Sequence, residues 1–163
     1  KNYPFKTVLL SNLVTFGIYS LGFFIIFNAG LIFSIIYLIF ILLLEYRLIR
    51  YHCTNCCYWS KICGFGRGKV SSILFKKGDT SKFNLKKLTW KDLIPDFLVP
   101  LIPIVVGIIL LILNFNLSLL AAIVAIIALS TTGNAYIRGQ LTCGHCKQQK
   151  AGCLAEALFR EGN

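Results

Sequence analysis

The chain has 163 residues, 17 of them basic and 6 acidic, for a formal net charge of +11. Hydrophobic residues make up 56% and charged ones only 14%, with a mean hydropathy of +0.73. A soluble domain carries roughly a quarter charged residues, which excludes one, and the abundance of Ile, Leu and Phe excludes a disordered chain. The reading is an all-α integral membrane protein.

From Val8 to Leu44 no residue is charged, about twice the length that one helix needs to cross roughly 30 Å of hydrocarbon. Asn28-Ala29-Gly30 offers a tight turn between helices, which predicts spans over 7–27 and 31–48. A second uncharged run, Phe97 to Ile137, breaks at Asn114-Phe115-Asn116 and predicts spans over 97–113 and 117–136. Pro100 and Pro103 fall in the first turns of the third span, where a missing amide hydrogen costs little. Gly133-Asn134 interrupts the end of the fourth. The first stretch is too long for a signal peptide and is taken as a retained span.

Neither between-span turn holds a charge, whereas the segment from Arg47 to Asp96 holds most of the basic residues. With four spans as two helical hairpins, every basic residue falls on one side, the positive-inside pattern. The expectation is an integral protein of the plasma or cell membrane, its termini and middle loop cytoplasmic. The predicted division is a first hairpin (1–52), a first cysteine hook (53–69), a basic interfacial loop (70–96), a second hairpin (97–142) and a second hook with the tail (143–163). Within the loop, Thr89-Trp90-Lys91-Asp92 has capping-box spacing, and Trp90, Leu93, Ile94 and Phe97 recur at helical intervals. This predicts a short amphipathic helix on the interface, limited by Pro95. Trp59 and Trp90 suit interfacial anchoring, and Arg67, Lys69, Lys76 and Lys77 suit anionic lipid head groups. Gly64-Phe65-Gly66-Arg67-Gly68-Lys69 lacks phosphate-loop spacing and reads as a flexible exit from the first hook.

The sharpest pattern is a repeat. Cys53, Cys56 and Cys63 are spaced C-x2-C-x6-C, and Cys143, Cys146 and Cys153 repeat that spacing 90 positions later. Each set follows directly after a hairpin, so the plan is span, span, hook, twice over. Cys57 is left over as a less favoured ligand. On a reducing cytoplasmic face such thiols favour metal over disulfides. Zinc is the first expectation, because six thiolates with two bridging give two ions four sulfurs each. An iron–sulfur cluster is the alternative, without the dense ferredoxin spacing. His52 and His145, one per hook, suit outer roles better than ligation.

Cys143-Gly144-His145-Cys146-Lys147-Gln148-Gln149-Lys150-Ala151-Gly152-Cys153 resembles one half of the fungal binuclear zinc-cluster domain, which implies the shared six-cysteine geometry. That family joins its halves by a short linker and reads DNA; here two spans intervene, so no nucleic acid is expected. Cys143-Gly144-His145-Cys146 also resembles the motif of thiol–disulfide exchange proteins.

Three functions follow as expectations. The first is a metal-binding structural or accessory subunit of a larger membrane complex, with other membrane subunits as partners. The second is iron–sulfur electron transfer coupled to a quinone or partner subunit, and the third a membrane thiol–disulfide oxidoreductase. No catalytic base or nucleophile stands out. Asn12, Thr15, Tyr19 and Gly22 share one face of the first span, read first as helix packing and second as contact with a quinone, lipid or isoprenoid head group. Glu45 ends the second span within reach of Lys6 or Arg47. No span carries a charge at its midpoint, which argues against a pump or proton relay.

Overall fold

The structure, a computed structural model, describes residues 3–79, 90–142 and 146. The lysine-rich stretch after Asp79, the capping-box Thr89, and the second hook with Cys143, His145 and Cys153 lie outside the described residues. Among the described residues the protein is all helical, with no strand.

Helix α1 spans Phe5–Phe27 and starts on Pro4, whose carbonyl accepts from the amides of Thr7 and Val8. It ends in the expected turn. Ala29 and Gly30 donate to the carbonyls of Ile26 and Phe27, and Gly30 takes φ 141°, open to glycine and strained for other residues. Helix α2 then runs Leu31–Tyr51 and packs against α1. After a 3-10 turn at Cys53–Asn55, helix α3 covers Arg67–Leu74. Helix α4 spans Trp90–Leu113 and α5 spans Leu117–Ala128. Asn116 caps α5, its side chain accepting from the Ser118 amide at 2.9 Å.

Among the described residues three helices are long and apolar enough to cross a membrane: α1, α2 and the apolar part of α4 from Ile94. α5 is shorter. At Leu129–Gly133 and again at Tyr136–Thr142 the helix widens to π geometry. The local cause is competition for backbone acceptors. Ser130 and Thr131 both donate from their hydroxyls to the Ile127 carbonyl, at 3.2 and 2.7 Å, just where the widening begins.

The short amphipathic helix expected before Pro95 is instead the start of α4, which passes through Pro95, Pro100 and Pro103. Pro103 has no amide to offer the Val99 carbonyl one turn earlier. Tyr37 of α2 supplies the missing donor, its hydroxyl reaching Val99 O at 2.8 Å in a buried position. A neighbouring helix thereby satisfies the backbone group that proline frees, as hydrocarbon demands.

α1 sits at the centre of the bundle and packs against α2, α4 and α5. Ile25 of α1 and Ile126 of α5 are fully buried, with Ile18, Ile26, Ile41, Leu119 and Ile123 around them. Hydrocarbon gives helices no hydrophobic reason to associate, so close approach at small residues must hold them. Gly107 of α4 provides one such approach: an added Cβ would meet Ile123 at 2.8 Å and Ile25 at 3.0 Å. The outer faces are apolar and exposed, from Phe16 and Leu42 to Ile112 and Val124, as lipid contact requires.

At the charged end three chain segments meet. The Tyr3 amide donates to Ile62 O at 3.1 Å, its hydroxyl to Thr142 O at 2.6 Å, and its ring packs on Tyr58 with centroids 5.5 Å apart. The start of α1, the first hook and the π-helical turn at Tyr136–Thr142 are thus tied together.

Candidate functional site

The first hook begins where α2 ends. Thr54 and Asn55 fold back, Thr54 Oγ1 donating to Arg50 O at 2.6 Å and Asn55 Nδ2 to Tyr51 O at 3.0 Å. These bonds satisfy two of the carbonyls that a helix end leaves open. The chain then turns at Cys56, whose carbonyl accepts from the Trp59 amide, and at Cys63, whose carbonyl accepts from the Gly66 amide.

Five of the seven cysteines are described, Cys53, Cys56, Cys57, Cys63 and Cys146, and no disulfide joins any two of them. Cys146 lies near enough to Cys56 and Cys57 to disfavour their ionisation, while Cys53 and Cys63 neighbour each other. Yet among the described residues no group of three or more His, Cys, Asp or Glu side chains is arranged to hold an ion. The expected metal centre is therefore corrected: neither zinc nor an iron–sulfur cluster fits the donor set of Cys53, Cys56, Cys57, Cys63 and Cys146. Cys143 and Cys153 lie outside the described residues. The metal-binding and iron–sulfur functions fall with that centre. Burial pushes the Cys56 thiol up to about 12, with the charges of Cys57 and Cys146 adding to it.

The residues after the hook do something the sequence does not announce. Gly66 caps α3 in the left-handed conformation, φ 71°. Gly68 lies so close to the carbonyls of Tyr58 and Lys61 that a Cβ there would collide with backbone. The expected flexible exit is thus a docked helix. Docking carries Arg67 to Glu45 at the end of α2, where the two form an ion pair through Arg67 Nη2 and Glu45 Oε1. Lys6 and Arg47 were the expected partners of Glu45, and lipid the expected partner of Arg67. Tyr19 of α1 donates its hydroxyl to the same Oε1 at 2.6 Å. Burial works against the Arg67 charge, but Glu45 and then Tyr19 outweigh it, and the pKa is raised above the ordinary value. The guanidinium also lies 5.4 Å from the centroid of Phe65.

This cluster forms part of the wall of a half-open groove of about 670 Å³ between α1 and α2. Asn12, Thr15, Tyr19 and Ser20 line it from α1, and Leu38, Ile41 and Leu42 from α2. Asn12 Nδ2 and Thr15 Oγ1 donate to carbonyls one turn back, Val8 O at 2.9 Å and Ser11 O at 2.9 Å. The polar face of α1 from Asn12 to Tyr19 therefore borders an opening. Gly22, further along, meets Tyr37 of α2. A groove of this size is within the range of small-molecule sites, which are mostly apolar with a few convergent polar groups. Comparison with family models, curated proteins and solved structures finds no match to this chain.

Proposed function

We propose that this protein binds one membrane amphiphile in the groove between α1 and α2, its polar end held at Tyr19, Glu45 and Arg67 and its tail along the apolar wall. The observation that carries this reading is the pairing of a mostly apolar groove with a convergent polar cluster, Tyr19, Glu45 and Arg67, in its wall. An amphiphile has that same division. The walls lie on apolar helices whose outer faces are bare, so a ligand can enter sideways from the bilayer.

In this reading the chain has four spans, the fourth running from Leu117 through the π-helical turns towards Thr142. α5 alone, at 12 residues, rises about 18 Å, and its continuation makes up the remaining depth of a ~30 Å core. The basic end, with both hooks and the polar cluster, faces the cytoplasm.

The test is to purify the full chain in mild detergent and identify retained amphiphiles by native mass spectrometry. Ser20 is exposed on the groove wall and outside the helix core, so Ser20→Trp fills the groove without disturbing packing. The wild type should retain about one amphiphile per chain and the variant should lose it. Equal retention by both would overturn the groove as the site.

A further inference from the structure

We infer that the head group held at this cluster is uncharged and planar, of the isoprenoid quinone and quinol class; the inference rests on the groove reading above. Charge is the first argument. Among the described residues the groove lining carries one cation and one anion, Arg67 paired with Glu45, so the charges of the lining balance. A phosphate entering there would gain attraction from Arg67 and suffer repulsion from Glu45 at similar range. These contributions largely cancel, and the cost of removing the phosphate from water remains. An uncharged head escapes that cost.

Hydrogen bonding is the second. Arg67 has five N–H donors, and its bond to Glu45 occupies Nη2. Both bonds received by Glu45 fall on Oε1, so neither uses Oε2. A donor and an acceptor therefore stand side by side. A quinone carbonyl accepts from the first, and a quinol hydroxyl donates to the second. Aromatic lining is the third: Phe16, Phe23 and Phe65 all border the groove, and flat rings pack on them in offset or edge geometry. Acyl chains alone need no such rings.

The experiment uses the full chain in nanodiscs of phosphatidylcholine, with three probes sharing a ten-carbon tail: decyl benzoquinone, decanol and decyl phosphate. Binding is read by competition and native mass spectrometry. The wild type should take the quinone at least about tenfold more tightly than decanol or the phosphate. Glu45→Gln removes the anion and should shift the quinone-to-phosphate ratio about tenfold towards phosphate. Phe65→Leu leaves the ion pair in place and should weaken the quinone several-fold while leaving decanol unchanged, which decides the matter even if Glu45→Gln fails to fold. Phosphate bound as tightly as quinone by the wild type would overturn the uncharged head while keeping the groove. Decanol equal to quinone, with no effect of Phe65→Leu, would overturn the ring. Failure of all three probes to bind would overturn the groove together with this inference.

Discussion

The Tyr37 hydroxyl on the Val99 carbonyl shows how one side chain makes a proline tolerable inside a membrane helix. Removing it should leave a buried carbonyl without a donor, at a cost of about 1–3 kcal/mol. Tyr37→Phe is therefore expected to lower unfolding stability in detergent by that amount. Pro103→Ala restores an amide one turn after Val99, so Tyr37→Phe should cost markedly less in that background. A double-mutant cycle reads the coupling directly; strict additivity would show that the two residues do not share this carbonyl. The Cys56 thiol gives a second expectation at this scale. Its pKa is raised from 9.0 to about 12, chiefly by burial, so between those values the folded chain keeps a proton that the unfolded chain loses. The contribution is intact below pH 9 and is lost as pH rises towards about 12. Alkaline destabilisation should accordingly be shallower for Cys56→Ala than for the wild type.

Among the elements, α3 is the one that converts a loop into part of the groove. It docks because Gly68 can approach the carbonyls of Tyr58 and Lys61, and because Gly66 turns the chain into it. Gly68→Ala should undock α3 at a cost of about 3 kcal/mol, towards the upper end for overpacking. It should also release Arg67 from Glu45, so amphiphile retention should fall even where the bundle remains folded. Circular dichroism and native mass spectrometry together separate these effects. The docking was not legible beforehand, because Gly64 to Lys69 has no apolar period and Gly68 and Arg67 act through tertiary contact. The first two spans were legible: the uncharged run and the Asn28-Ala29-Gly30 turn predicted 7–27 and 31–48, against observed helices at Phe5–Phe27 and Leu31–Tyr51. Their pairing with charged side chains was not: Glu45 plainly needed a cation, but Lys6 and Arg47 stood nearer in the sequence or at the expected interface. The cysteine spacing misled for a related reason. Spacing states which thiols could share an ion, while convergence and ionisation depend on burial that the spacing does not contain.

For the whole molecule the +11 charge and the apolar outer faces set how it sits in a bilayer. Cys57 is exposed on the first hook and is a natural reporter of side. A membrane-impermeant maleimide should label it in inverted vesicles and leave it unlabelled in intact cells; the reverse pattern would invert the topology. Labelling is best compared with a Cys57→Ser variant, because Cys146 lies nearby.

The Tyr3 tie bears on how such a chain is assembled. Its hydroxyl partner, Thr142, lies 139 positions further on, and closing so distant a contact is slow relative to forming single helices. During synthesis α1 and α2 must enter the membrane long before that partner exists. The nascent hairpin therefore waits with its charged end open, and the helical turn that ends at Thr142 is the one that latches it. Chains truncated before Thr142 should insert normally yet remain sensitive to proteases at the first hook, even though the hook itself is complete.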